Sequence, residues 1–422
     1  MRIKLAYGHE GLWVDIPDDV HVDVIEPQYV PGLLDESAAV RQALQKPIGT
    51  PPLQQTIKVS DTVAVVFSDI TRPMPNDRVL PVLLAELEAV GVPDQNIYLI
   101  NALGTHRAQT DTELDQMLGQ DITGRYRMVQ HNAWSTDLVE VGCNSCGRQV
   151  RVNRDYMQAS KRILTGFVEP HFFAGFSGGP KAVLPGIADI ESIMDNHGAQ
   201  LLSHPRATWA VTAGNPLWEE IRAIAAASNP TFLLNVTLNK NRGITGVFAG
   251  DLQAAHESAV AFVREKAMQP VDRLYDIVLT SNSGYPLDLN LYQAVKGMSA
   301  AAQIVKTGGD IIIAAECWDG LPSHGEYARL LHEASSVDQL LETITTPGFR
   351  CHDRWEAQIQ AQIQKKARVH VFADGLSADE LQKALVIPCQ SIEATLAKLL
   401  SNHPNAQVAI LPEGPQVVPY LA

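Results

Sequence analysis

Long apolar runs that stop at polar, glycine-containing turns dominate the chain from residue 62 onward. The run 62–67 (TVAVVF) is apolar without alternation, as expected of a parallel strand buried on both faces. It stops at SDITRP (68–73). A helical pattern follows over 76–90 and ends at Gly91, and a second strand over 96–101 stops at GTHR (104–107). This is a βαβ unit, and a right-handed crossover makes its strands parallel. A third strand over 162–168 ends in EPHFFAGFSGG. Beyond it we expect a helix over 216–226, a strand over 231–238, a turn at 246–250 and an amphipathic helix over 254–268.

Gln269-Pro270 marks a boundary, because a fresh βα series begins past it. Strands are expected over 276–280, 310–315, 368–372 and 407–411, with helices between them, one over 290–302. The pattern therefore predicts two α/β domains with mainly parallel sheets. They are an N-terminal domain over 1–270 and a smaller, doubly wound domain over 271–422. The opening segment reads as strands over 3–7 and 11–16 and a helix over 36–45. Residues 138–152 read as a β-hairpin.

The carboxyl ends of parallel strands are where open α/β sheets bind ligands. SDITR and GTHR both lie at such ends, which makes Asp69, Arg72 and His106 neighbours in the expected fold. The stretch 169–197 is denser still. His171 follows a strand, and Gly175, Gly178 and Gly179 permit tight turns and close backbone approach. Lys181 comes next, then Pro185-Gly186 and a helix on whose apolar face Ile190, Ile193, Met194 and His197 fall. A neutral imidazole there can ligate a metal or serve as a hydrogen-bonded core residue. GFSGGPK is not a triphosphate loop. Pro180 stands where the second glycine belongs, and Ala182 where a magnesium-binding hydroxyl belongs. In the second series Gln293 and Lys296 share a helix face near its amino end, where a lysine, an amide and the dipole favour a carboxylate. Each of these residues taken singly also fits a solvated turn or helix face.

Composition narrows the classes. The 422 residues are 45% hydrophobic and 19% charged, with a net charge of −14 and no basic tract, so nucleic acid is not an expected partner. No run of about 18 apolar residues occurs, so no membrane span is expected. MRIKLAYGHE has no apolar signal core, and five cysteines do not make a disulfide framework in a chain this long. The expectation is a cytoplasmic enzyme. Cys143 and Cys146 form one C-x-x-C without the second pair of a zinc ribbon, and their role stays open.

SDITRP, GTHR, EPHFFAGFSGGPKAVLPG, the NH of DNH and YPLDLNLYQAVKGM, in this order and spacing, resemble the nickel-dependent lactate racemase family. The resemblance runs from residue 68 to about 320, with Trp355 beyond it. It implies a 2-hydroxy-acid racemase or epimerase carrying a nickel pincer nucleotide, the nickel form of pyridinium-3-thioamide-5-thiocarboxylic acid mononucleotide. It implies that Lys181 is the covalent tether, His197 the protein ligand of nickel, and His106 and His171 the acid/base pair. Asp69, Arg72, Gly178 and Gly179 would shape the cofactor site, with Tyr292 and Trp355 packing around the pyridinium. Gln293 and Lys296, with Arg72, would receive the substrate carboxylate. The implied partners are a small 2-hydroxy acid and the enzymes that make the cofactor. The site is expected in the cleft between the domains.

The implied chemistry suits these residue types. Removing the C2 hydrogen as a hydride gives a stable 2-oxo acid, whereas removing it as a proton gives a costly carbanion beside a carboxylate. Two bases are needed because the hydroxyl points to opposite sides in the two enantiomers. Two other readings remain open at this point. One is a zinc- or iron-dependent hydrolase using His106, His171 and His197, and the other a non-catalytic carboxylate- or phosphate-binding protein. The side chain of the substrate and the oligomeric state are not legible.

Overall fold

The computed structural model describes residues 1–18, 20–322 and 325–422. They form two compact units. One comprises Tyr29–His197 and His204–Glu265; the other comprises Met1–Gln28, Gly198–Ser203 and Lys266–Ala422.

The first unit is built on a six-stranded sheet in the order Ile244–Gly250, Phe232–Leu238, Lys161–Phe167, Val63–Ser68, Ile97–Ala102, Arg127–Gln130. All neighbours are parallel except the pair Phe232–Leu238 and Ile244–Gly250. The chain winds outward from Val63–Ser68 in one direction, then returns and winds from Lys161–Phe167 in the other. Right-handed crossovers in opposite directions put helices on both faces, and the strand order reverses between these two strands. Apolar side chains of Val63–Ser68 and Ile97–Ala102 interlock with Leu80, Leu83 and Leu87 of the helix Asn76–Val90. That helix stops at Gly91, whose φ of +90° lets it close the last turn.

The second unit carries a six-stranded, all-parallel sheet in the order Ile387–Pro388, Arg368–Phe372, Val305–Ala314, Tyr275–Ser281, Val408–Leu411, Val22–Val24. The reversal lies between Tyr275–Ser281 and Val408–Leu411. The loop after Tyr275–Ser281 leads into the helix Leu291–Ala302, which Asn290 caps by accepting the Gln293 N–H at 3.1 Å.

The division of the chain differs from the expected 1–270 and 271–422. The change of unit near residue 266 lies close to the expected boundary, but Met1–Gln28 belongs with the C-terminal segment. Its strand Val22–Val24 extends the second sheet beside Val408–Leu411. Leu5, Tyr7, Val14 and Ile16 share an apolar cluster with Ile277, Leu279, Ile312 and Ile410. Burial of these side chains, at about 1.5–3 kcal/mol each, outweighs chain proximity. Residues 246–250 also differ: they are the body of the strand Ile244–Gly250, not a turn. The hairpin forms from Leu138–Cys143 and Gln149–Asn153 as expected. No helix of the described residues is long and apolar enough to cross a membrane.

Two histidines sit deep in the first unit. His131 donates from Nε2 to the Ala188 carbonyl and His256 to the Ser177 carbonyl, both at 2.9 Å. Burial pushes each imidazole down from its ordinary value to about 4. The unfolded chain therefore binds more protons between about pH 6.5 and 4. Their stabilisation is complete above that window and is lost as pH falls through it, about 3 kcal/mol for each histidine. Denaturant titrations from pH 7 to 4 should show this loss. His131→Asn should flatten the slope by about 1.4 kcal/mol per pH unit, the value of one proton. An unchanged slope would contradict the buried neutral state.

Candidate active site

Three loops leave the carboxyl ends of Val63–Ser68, Ile97–Ala102 and Lys161–Phe167, on both sides of the strand reversal. The first two meet through a carboxylate and an imidazole. Asp69, 2% exposed, bonds the Nδ1 of His106 through Oδ2, and the Thr71 hydroxyl donates to its Oδ1 at 2.7 Å. Arg72 lies 4.0 Å from the same oxygen with its side chain 39% exposed. Burial alone would raise the Asp69 pKa. The adjacent His106, with Arg72 and the Thr71 hydroxyl, outweighs burial and holds it below the usual carboxylate range. An ionised carboxylate only accepts, so the His106 Nδ1 is the protonated nitrogen and Nε2 carries the lone pair. Asp69 is expected to shape the cofactor site; in the structure its oxygens are engaged by His106 and Thr71.

The third loop runs from His171 to Lys181. The short strands Pro170–His171 and Gly175–Phe176 pair antiparallel, and the Ala174 N–H donates to His171 Nδ1 at 3.3 Å. A nitrogen that accepts is unprotonated, so neutral His171 carries its proton on Nε2, the opposite tautomer to His106. The buried ring of Phe173 joins this loop to two further residues. His171 meets it edge-on at 4.5 Å between centroids, His197 at 5.2 Å, and Lys181 Nζ lies 5.7 Å from its centre. Phe173 was not singled out from sequence; the aromatic pair directly after His171 was the available signal. His197 is buried, but not within the helix: it caps the C-terminus of Ile190–Asn196, its N–H bonding Ile193 O at 2.9 Å. Lys181 is half-buried in the 3-10 turn Gly179–Ala182. The GTHR loop is tied to this turn, because Gly104 N bonds Gly186 O at 2.9 Å and Gly186 N bonds Lys181 O at 3.1 Å.

The second unit holds the remaining candidates as one group. Gln293 Oε1 accepts from Lys296 Nζ at 2.8 Å, and the indole N–H of Trp355 donates to the Tyr292 hydroxyl at 2.9 Å. The Tyr292 ring packs edge-on against Tyr327 at 5.3 Å. The helix amino end expected to receive a carboxylate has one of its N–H groups, that of Gln293, already taken by the Asn290 cap. Cys143 and Cys146 are exposed free thiols on the hairpin.

The first unit thus holds one half-buried imidazole on a buried carboxylate and, on an adjoining loop, a second half-buried imidazole, a lysine and a buried imidazole around one phenylalanine ring. Residues 7–210 match the family model described as lactate racemase N-terminal domain, and residues 271–418 the one described as lactate racemase C-terminal domain. A lactate racemase of Thermoanaerobacterium thermosaccharolyticum is 34% identical over 425 residues, and one of Lactiplantibacillus plantarum 33% over 423, each alignment covering 99% of both chains. The lactate racemase apoprotein structure from the Thermoanaerobacterium species superimposes with a TM-score of 0.93 at 32% identity, covering 99% of this chain and 100% of that one. A Thermotoga maritima protein, at 19% identity and TM-score 0.71, covering 93% of this chain and 100% of its own, shares the fold. The chain belongs to the lactate racemase family and is an isomerase of the racemase type.

The Asp69–His106 pair has a spectroscopic signature. In histidine-labelled protein the His106 Nδ1 proton should appear far downfield, held by a buried carboxylate. Asp69→Asn should abolish that signal and lower kcat by on the order of 10²–10⁴-fold. A downfield signal that persists in Asp69→Asn would show that the carboxylate does not orient the ring.

Proposed function

We propose that this protein inverts C2 of a small 2-hydroxy acid, lactate or a close relative, through a 2-oxo acid, using a nickel pincer nucleotide bound covalently at Lys181. The observation that carries the reading is a pair of half-buried imidazoles on two loops joined through Gly104 and Gly186, His106 held by the buried Asp69 carboxylate and His171 on the loop that carries Lys181. Interconverting enantiomers requires one group that takes the hydroxyl proton on one side and another that returns a proton on the other.

The residues fit the cofactor. Among the described residues no three His, Cys, Asp or Glu side chains converge as a metal-ligand group. His197 would hold such a metal, and the group that carries the metal would supply its other donors. Imidazole suits nickel, and a half-buried lysine shares the Phe173 ring with His197. The same fact weighs against a zinc or iron hydrolase, which needs about three protein ligands. When bound, the nucleotide supplies a cationic pyridinium that accepts a hydride, chemistry that amino-acid side chains lack.

The chain's own residues do the rest. His106 Nε2 takes the hydroxyl proton, and the buried Asp69 carboxylate stabilises the resulting imidazolium. His171, as an imidazolium, donates a proton to the oxygen when the oxo acid is reduced on its other face and is left neutral. Lys296, fixed by Gln293, receives the substrate carboxylate, and the exposed Arg72 guanidinium adds positive charge beside His106. Gly178 and Gly179 bring the backbone of the turn close to the nucleotide. The bonded pair Tyr292 and Trp355 packs against its ring. The cofactor comes from separate synthesis enzymes, which are the expected partners.

Intact mass tests the tether. Protein made together with cofactor-synthesis enzymes should be heavier by a nickel-containing nucleotide, and Lys181→Ala should lose the increment. Activity with no increment in the wild-type mass would sink the proposal. His106→Ala and His171→Ala should each cut racemisation by at least about 10²-fold while retaining nickel. His197→Ala should lose nickel. Chiral assays on lactate, malate, aromatic and sugar-derived 2-hydroxy acids identify the substrate.

A further inference from the structure

The turn that presents Lys181 is held from beneath by residues that none of the roles above uses. His256, on the helix Leu252–Ala267, is 3% exposed and donates from Nε2 to the Ser177 carbonyl at 2.9 Å. Its ring stacks on Trp218, of the helix Pro216–Ala227, with centroids 5.1 Å apart and planes 24° off parallel. The other edge of the ring abuts Gly179. A Cβ on Gly179, whose φ is +49°, would stand 2.4 Å from His256 Cδ2 and 2.7 Å from Cγ. Asn235, on the strand Phe232–Leu238, accepts the Gly179 N–H at 2.9 Å. On Gly178, with φ +72°, a Cβ would stand 2.7 Å from Phe167 O and 2.8 Å from Asn235 Oδ1. The Ser177 hydroxyl donates to Phe167 O at 3.0 Å, and Lys181 N bonds Gly178 O at 3.1 Å.

The geometry assigns His256 as the positioning residue of the Lys181 turn: seated on Trp218, it fixes Ser177 and Gly179, and through them the direction in which Lys181 leaves the backbone. The inference rests on the reading of Lys181 as the cofactor anchor. Two features suit the role. The ring fills the space a side chain at 179 would need, so the glycine and the histidine specify one another. Burial also keeps the imidazole neutral down to about pH 4, so the Nε2–H donor persists across the working range without adding a charge beside the lysine. A leucine fills a similar volume but donates nothing, whereas a glutamine amide reaches about where Nε2 lies and donates.

Hydrogen exchange on the cofactor-free protein reads the role directly. His256→Leu should speed exchange at the Gly179 and Lys181 amides about tenfold, with the 138–153 hairpin unchanged, and His256→Gln should stay within about twofold of wild type. In protein made with the cofactor-synthesis enzymes, the fraction carrying the Lys181 adduct should fall at least about fivefold in His256→Leu and recover in His256→Gln. If His256→Leu does not fold, Trp218→Leu, which keeps the donor and removes its seat, should speed exchange at the same two amides. Folded variants with wild-type exchange at Gly179 and Lys181 would overturn the assignment. Wild-type protein without an adduct would overturn the tether reading instead, and the exchange result would still judge the role of His256.

Discussion

The site depends on the strand reversal between Val63–Ser68 and Lys161–Phe167. In a parallel ladder every backbone group inside the strands is spoken for, so a loop can present chemistry only where the ladder ends. Crossovers that leave in opposite directions from adjacent strands open a crevice at that end. Here the loop after Lys161–Phe167 is fastened to the sheet at once. Val168 N bonds Val236 O at 2.9 Å, Ser177 Oγ bonds Phe167 O, and Thr165 Oγ1 bonds Val66 O at 2.9 Å. The loops bearing His106, His171 and Lys181 are thus anchored to one rigid layer, and Gly104 and Gly186 join two of them directly.

Much of this was legible because the physics is local. The helices Glu36–Gln45 and Asn76–Val90 carry their own start or stop signals, an Asp35 cap on the first and Gly91 after the second. The run at 62–67 has no polar position to spare for a solvent face, which only a doubly covered strand tolerates. Once the strands are known to be parallel, the proximity of Asp69 and His106 follows from topology alone. The two histidines, the glycines and the single lysine of 169–197 marked the rest.

What was not legible depends on sequence-remote partners. Nothing in 1–28 says that Val22–Val24 pairs with Val408–Leu411, since three residues carry no register information of their own. Glycines at 246 and 250 suggested a turn, yet they lie in a strand whose partner is set by the hairpin connection at 239–243. Phe173 gave no local sign of being a hub, because an aromatic residue beside a histidine is ordinary until the fold brings Lys181 and His197 to the same ring. The role of Asp69 was hidden for a related reason. A carboxylate in a loop has the same pattern whether it faces a ligand or a neighbour, and only its burial and the engagement of its oxygens decide.

On the proposed reading, the unequal environments of the two histidines are compatible with a reaction whose equilibrium constant is one. The Nδ1 of His106 meets a buried carboxylate, whereas the Nδ1 of His171 accepts a backbone N–H. Enantiomers have the same free energy in solution, so kcat/KM must be equal in both directions however the bases differ. The inequality is confined to kcat and KM, which must shift by a common factor. Asp69 then serves the reaction without biasing its outcome. It stabilises the state in which His106 holds the proton, and the cost of that preference in the reverse direction appears as tighter binding matched by slower turnover. An orienting carboxylate under one imidazole alone is thus no obstacle to racemisation, provided that solvent reaches both rings to reset them, as the partial exposure of His106 and His171 permits.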